Sequence, residues 1–145
     1  MNKLKKIKSE TKIVSKHRGG DCEQYPVFSF QYLTTSKHYN FNYFSDHERK
    51  NMESTKVDLY NRLEEISQIS WQDWLLQRRY TGLEKISFSR LHFGAKNIKL
   101  APDESIYVFR FDHQDKRILG FRKDKCPIYY IIGYDFDHSA YDHGS

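Results

Sequence analysis

The chain contains 145 residues, which is the length of one ordinary domain, and its formal net charge at pH 7 is +5. Hydrophobic residues make up 38% of the chain and aromatic residues 16%, so large rings must supply much of the core. This composition excludes collagen, a coiled coil and wholesale disorder. No apolar run in the sequence approaches the roughly 20 residues of a membrane-spanning helix.

The positive charge is concentrated at the start of the sequence. Residues 1–18 contain seven Lys and Arg residues and one acid, Glu10, so the rest of the chain is close to neutral. We therefore predict a basic, flexible tail over residues 1–24, followed by a single domain over residues 25–145. Such a segment often contacts nucleic acid, and the alternative is a tail that is only solvated. The tail residues expected to bind nucleic acid are Lys3, Lys5, Lys6 and Lys8.

The cysteines and the first residues predict a compartment. Cys22 and Cys126 have no metal-binding spacing, and two isolated thiols favour a reducing environment. No apolar run of a secretory signal follows the first lysines. Neither a glycine-rich phosphate loop nor a GxSxG nucleophile motif occurs. The sequence therefore predicts a cytoplasmic protein, of bacterial or phage origin, with no cofactor.

Two strands are predicted at the beginning of the domain. Residues 26–33 are rich in β-branched and aromatic side chains. Residues 39–44 place an aromatic ring at every second position, the period of a half-buried strand, and residues 34–38 would close a hairpin. Exposed rings of this segment could stack on bases, and core packing is the more common role. The rings concerned are Phe28, Phe30, Tyr32, Tyr39, Phe41 and Tyr43.

The apolar spacing then changes to that of two helices. A first helix is predicted over residues 55–66, with Ser54 or Thr55 as its cap. Ser70 is expected to cap a second helix, which would stop at Gly82. Because the connection is short, the two helices are predicted to form an antiparallel pair.

Strand patterns return after the helices. We predict strands over residues 86–93, 106–111, 117–122 and 128–132, separated by polar turns. The last run is continuously apolar, which is typical of a strand buried on both faces at the centre of a sheet. Because strands and helices are segregated, the sequence predicts an α+β fold. In this fold an antiparallel sheet carries the helical pair on one face.

Basic residues near the end of the domain form the first candidate site. Arg110 lies on one predicted strand, and Arg117 and Arg122 lie on the next, with Lys116 and Lys123 beside them. Neighbouring antiparallel strands bring such side chains together. Guanidinium groups bind phosphate with two hydrogen bonds and stabilise charge at a phosphate that is being cleaved. The alternative is a set of ordinary solvent-facing cations.

The C-terminal segment is the second candidate site. His138 and Tyr141 are residue types that transfer protons during RNA cleavage. A divalent metal is an alternative ligand, although no HxxxH spacing occurs and no metal site is predicted. A polar chain end without function is the remaining alternative. The residues that could bind a metal are Asp135, Asp137, His138, Asp142 and His143.

The helical pair and the meander that follows it resemble the RelE/ParE-like toxins of bacterial toxin–antitoxin systems. The likeness rests on residues 107–111, 116–121 and 128–132, and on His138 and Tyr141. It implies a RelE-like fold and metal-independent cleavage of mRNA, in which a ribose 2′-OH attacks the adjacent phosphate. The chain also resembles small phage and plasmid proteins of Gram-positive bacteria.

The resemblance also implies roles and partners. Arg110, Arg117 and Arg122 would contact phosphate and stabilise charge, and His138 or Tyr141 would be the acid or base. The partners would be RNA and either a cognate antitoxin or a host protein, with no membrane. A non-enzymatic phage or mobile-element protein that inhibits a host protein or nucleic-acid complex is the alternative function. A nucleic-acid-binding module that depends on the basic tail is a third.

Overall fold

The computed structural model describes residues 24–46, 52–77, 82–113 and 115–142. The predicted tail over residues 1–24 lies outside these ranges except for its last residue, as do its four nucleic-acid-binding lysines and His143. The helices and strands follow one another in the order β1 (Val27–Ser29), α1 (Tyr43–Asp46), α2 (Met52–Ser67), α3 (Trp71–Leu76), β2 (Leu83–Ser87), β3 (Ser105–Phe111), β4 (Lys116–Phe121) and β5 (Ile128–Asp135).

The predicted α+β fold is confirmed. The five strands form one sheet in the order β1-β5-β4-β3-β2. The strands from β2 to β5 pair antiparallel, as predicted, but β1 pairs with β5 in parallel, so the sheet is mixed. A parallel pair needs a long crossover connection. Here the three helices and strands β2, β3 and β4 all lie between β1 and β5 in the sequence.

The beginning of the domain differs from its prediction. Only Val27–Ser29 of the first predicted strand pair with the sheet. Residues 39–42 form turns and bends, and residues 43–44 already belong to α1, so the predicted hairpin is wrong. The alternating rings find partners without strand pairing, because Tyr39 stacks on Phe93 with a centroid separation of 4.6 Å. The Asn40 side chain also hydrogen-bonds the backbone of this loop.

The two predicted helices are present, and their ends differ partly. Helix α2 begins at Met52, so Ser54 and Thr55 lie inside its first turn and do not cap it. The cap of α3 is confirmed, because the Ser70 side chain accepts a hydrogen bond from the backbone N–H of Asp73 at 3.2 Å. Helix α3 already ends at Leu76, before the predicted stop at Gly82.

The last three predicted strands are confirmed with small shifts of their ends. Strand β5 is buried along most of its length, as predicted, but β4 occupies the centre of the sheet. The predicted strand over residues 86–93 is only partly correct. Pairing with β3 covers Leu83–Ser87, after which the chain turns through a 3₁₀ helix over Phe88–Arg90.

The sheet has two covered faces, and each contains its own core. The helix face is the side on which α2 and α3 place Leu59, Ile66, Trp71 and Trp74 against rings and aliphatic groups of the strands. The loop face is the opposite side, which residues 88–100 cover together with Ala140 and Tyr141. Among the helices of the described ranges, none is long and apolar enough to cross a membrane.

Candidate functional site

A polar cavity of about 430 Å³ lies at one end of the loop face, beside the edge strand β2. The side chains of Arg90, Arg110 and Arg117 and a single carboxylate line this cavity, so its lining carries an excess of two positive charges. Lys85 borders the cavity on β2, but its ammonium lies over the Tyr107 ring on the helix face. Anions are the ligands that such a lining attracts. Glu84 and Tyr141 complete the polar part of the lining.

Two of the predicted arginines meet in the wall of the cavity. Arg110 on β3 and Arg117 on β4 are directly opposite each other in the strand register, so both side chains point to the same face. Arg117 is almost fully buried, with 3% of its surface exposed, and its Nη1 donates a hydrogen bond to the Asp115 carbonyl at 3.0 Å. Two guanidinium groups on cross-strand neighbours of one face can both contact a single anion.

Glu84 is the carboxylate of the cavity, and the sequence reading missed it. One carboxylate oxygen of Glu84 accepts a hydrogen bond from Arg110 Nη2 at 3.3 Å, and the other accepts one from the Tyr141 hydroxyl at 3.0 Å. Its side chain is 11% exposed. Glu84 thus neutralises part of the charge of Arg110 and fixes the position of Tyr141. Glu84 could have been assigned to the site only from its position on β2, the strand beside β3. That position follows from the strand order and not from the local sequence pattern.

Tyr141 is buried in the cavity wall between cations. The guanidinium carbons of Arg90 and Arg117 lie 5.3 Å and 5.9 Å from the centroid of its ring. Burial, with Glu84 as a further cause, raises the pKa of the Tyr141 hydroxyl to about 12. The phenol is therefore protonated at neutral pH, and it acts as a hydrogen-bond donor and not as a base.

His138 lies next to the same arginine, outside the lining of the cavity. Its Nε2 is 3.5 Å from Arg117 Nη1 and 4.0 Å from an Asp115 carboxylate oxygen, and 46% of its side chain is exposed. The backbone of His138 has a φ of 64°, a conformation that is uncommon outside glycine. The buried Asp135 side chain holds this turn by accepting a hydrogen bond from the Ser139 N–H at 3.0 Å. The turn places an imidazole beside the arginine pair.

Arg122 does not join the other two arginines, so the predicted cluster of three is wrong in this respect. It lies five residues after Arg117, and an odd separation along a strand directs side chains to opposite faces. The Arg122 guanidinium carbon is 4.2 Å from the centroid of the Trp71 ring, and its Nε donates to the Cys126 carbonyl at 2.9 Å. These contacts are typical of a structural arginine.

The two predicted lysines near the strands also lie away from the cavity. Lys116 Nζ is 2.6 Å from an Asp112 carboxylate oxygen, and this hydrogen bond lowers the pKa of Asp112. Lys123 is exposed, and its Nζ donates to the Tyr32 hydroxyl at 2.8 Å and lies 4.9 Å from the centroid of Tyr130. The hydrogen bond to Tyr32 raises the pKa of Lys123.

The acidic C-terminal residues have structural contacts. Asp137 pairs with His38 at 2.6 Å, and Asp142 is exposed 3.6 Å from His92. Within the described ranges, no three His, Cys, Asp or Glu side chains come together as a metal-ligand group. Among the described residues of this segment, the geometry therefore does not support the alternative that they bind a metal ion.

The early aromatic residues divide between core and surface. Tyr32 and Tyr43 are buried on opposite faces of the sheet. Phe30 and Phe41 are about half exposed and line an apolar cavity of about 360 Å³ between the first loop and α2. This second cavity is far less polar than the first.

Comparison of the chain with protein-family models, with curated proteins and with solved structures finds no match. The resemblance to RelE/ParE-like toxins and to phage and plasmid proteins therefore stays a prediction.

Proposed function

We propose that this protein binds RNA in the polar cavity and cleaves it without a metal ion. The observation that carries the proposal is the arginine pair of Arg110 and Arg117, held in register within a wall that has an excess of two positive charges. A phosphate that accepts hydrogen bonds from one or both guanidinium groups would gain about 1.5–3 kcal/mol from each such bond. The exposed side chain of Arg90 at the rim adds attraction for a neighbouring phosphate.

The cleavage step would be an attack of the ribose 2′-oxygen on the adjacent phosphorus. The O2′–P bond forms and the P–O5′ bond breaks, while the 2′-OH gives its proton to His138 and the leaving 5′-oxygen takes a proton from solvent water. The imidazole beside Arg117 has a ring nitrogen that can serve as this general base. Arg117 would stabilise the charge that develops on the phosphate oxygens, while Tyr141, whose hydroxyl proton is donated to Glu84, keeps its ring between Arg90 and Arg117.

Binding to RNA is tested by titrating a labelled 12-nucleotide single-stranded RNA at low salt. Arg90 is exposed, so Arg90→Ala should leave the fold intact and weaken binding about tenfold. Lys37→Ala removes the same charge from an exposed loop position outside the cavity and should leave the affinity unchanged. Equal affinities of the wild type and Arg90→Ala would contradict the proposal.

Cleavage is tested separately, by following the length of the RNA on a denaturing gel in the presence of a metal chelator. The wild type should produce fragments with 2′,3′-cyclic phosphate ends, and His138→Ala should produce at least a hundredfold fewer. Intact RNA with the wild type, despite binding, would remove the enzymatic part of the proposal. In a bacterium, the active protein would encounter RNA in the cytoplasm and should arrest growth.

A non-enzymatic inhibitor of a host protein is the second candidate function. The apolar cavity beside α2 favours it, because Phe30, Phe41 and Tyr60 expose between 45% and 62% of their surface around a hollow with almost no polar lining. This candidate predicts intact RNA and unchanged growth arrest in Arg90→Ala. The RNA-binding proposal predicts that the same variant relieves the arrest.

A further inference from the structure

The loop that leaves the cavity is basic along its whole length. Residues 85–102 contain four Lys and Arg residues, one His and no acid. The cationic residues after the edge strand lie in residues 88–100, the segment that covers the loop face, and we call this segment the basic loop. All of its Lys and Arg side chains are exposed, and they are Arg90, Lys96 and Lys99.

The basic loop is held in place against the rest of the loop face. The His92 N–H donates to the Ala140 carbonyl at 2.9 Å, next to the buried Tyr141, and the Lys96 N–H donates to the Tyr32 carbonyl at 2.9 Å. Its apolar residues, which include Phe93 and Leu100, pack into the core beneath. The cations are therefore presented from a fixed backbone and not from a loose one.

The far end of the basic loop lies near a further cation, Lys123. Lys123 Nζ donates to the hydroxyl of the same Tyr32 whose carbonyl accepts from Lys96. The Tyr32 ring lies 5.8 Å from Phe121, which is four residues along β4 from Arg117. Four residues of a strand span about 13 Å, so the cations extend well beyond the size of one phosphate group. The exposed carboxylate of Asp142 lies 3.6 Å from His92 Nε2 beside this path.

We propose that the basic loop and Lys123 extend the polar cavity into a strip that binds the backbone of single-stranded RNA over several consecutive phosphates. This proposal rests on the proposed function, because it places one phosphate of the same strand in the cavity. A narrow line of cations that leads out of a cavity fits a single strand, which follows a groove, better than a flat anionic surface. The strip supplies affinity and direction, and the cavity supplies the chemistry.

The test compares two doubly substituted variants that lose the same charge. Lys96→Ala/Lys99→Ala removes two exposed cations of the strip, and Lys37→Ala/Lys56→Ala removes two cations elsewhere. Each variant and the wild type are titrated with a 3-nucleotide and a 12-nucleotide RNA between 50 and 200 mM salt, conditions that resolve phosphate contacts.

The strip variant should bind the 12-nucleotide RNA about tenfold more weakly. Its slope of log K against log salt should be smaller by about 1.4, because roughly 0.7 is lost for each phosphate contact to a single strand. Binding of the 3-nucleotide RNA should be unchanged, and the control variant should match the wild type on both RNAs. An equal loss in the control, or no loss in the strip variant, would overturn the strip. Equal weakening of binding to anionic lipid vesicles would also overturn it.

Failure of the strip and failure of the cavity give different results. If the cavity binds no phosphate, Arg117→Gln, which changes a cavity residue outside the basic loop, leaves the affinity for the 3-nucleotide RNA at its wild-type value, whatever the strip variant does. If only the strip is wrong, Arg117→Gln weakens binding of both RNAs and the strip variant weakens neither.

Discussion

Arg117 and Arg122 lie on the same stretch of chain, five residues apart, and the sheet gives them opposite environments. Arg122 packs on Trp71 at the helix face, where its contacts are a ring and a backbone carbonyl. Arg117 lies in the wall of a polar cavity at the loop face, opposite Arg110 and near His138. The comparison teaches that residue type and sequence distance do not define a site, because the parity of the spacing decides which face a side chain reaches.

The two faces also differ in what they contribute to stability. The helix face contains two fully buried tryptophans, and the Trp74 Nε1–H donates to the Ile66 carbonyl at 2.9 Å. The loop face buries charged and hydroxyl groups around Glu84, which burial alone would disfavour. The following predictions test whether the helix face contributes mainly to protein stability and the loop face to RNA binding.

The largest effect is expected from Trp74→Ala. Loss of a buried indole that packs on Phe109 should lower the free energy of unfolding by about 3–5 kcal/mol. The RNA affinity of the molecules that remain folded should not change, because the indole is on the face opposite the cavity. Urea unfolding measures the first quantity and titration at low temperature measures the second. A specific loss of RNA affinity would break the division between the faces.

A smaller effect, a gain in RNA affinity, is expected from Glu84→Gln. The amide keeps a similar shape but removes the one negative charge of the cavity, so RNA should bind about fivefold more tightly, or by about 1 kcal/mol. Asp103→Asn, at an exposed position outside the cavity lining, is the matched control and should leave binding unchanged. Weaker binding by Glu84→Gln would show that the carboxylate positions Arg110 for the ligand.

The smallest effect concerns alkaline pH. The pKa of Tyr141 is about 12 in the folded protein, against an ordinary value of 10, so ionisation of this group is easier in the unfolded chain. Its contribution to stability is present below pH 10 and is lost as the pH rises towards 12. The free energy of unfolding of Tyr141→Phe should therefore fall by roughly 1 kcal/mol less than that of the wild type between pH 9 and pH 11.5. Identical losses would mean that the hydroxyl is not buried in solution.

Regular periodicity explains which parts of the fold could be predicted from the sequence. Helix α2 and strands β3, β4 and β5 have apolar spacings that agree with their burial, and their predictions are confirmed within a few residues. Residues 39–44 have the spacing of a strand, yet their rings pack from a loop, because ring stacking does not require strand pairing. Local pattern alone could not separate these two cases.

The site was predictable in part for a similar reason. Arg110 and Arg117 could be paired from two confirmed strands joined by a short turn, and they do face each other. Glu84 could not be assigned, because its contact with Arg110 depends on β2 lying beside β3. Arg90 fell within a predicted strand that in fact ends at Ser87, so its place at the rim was missed.

The most direct test of the account is a comparison of RNA affinity for Arg117→Gln and Arg122→Gln, with the folded state of each variant checked by circular dichroism. We predict that Arg117→Gln binds the 12-nucleotide RNA at least tenfold more weakly, since it loses a charge-assisted contact worth about 1.5–3 kcal/mol. Arg122→Gln should stay within about twofold of the wild type, since its guanidinium packs on Trp71 and hydrogen-bonds the Cys126 carbonyl at the helix face, away from the cavity. Equal losses in the two variants, or a larger loss in Arg122→Gln, would contradict the assignment of RNA binding to the loop face.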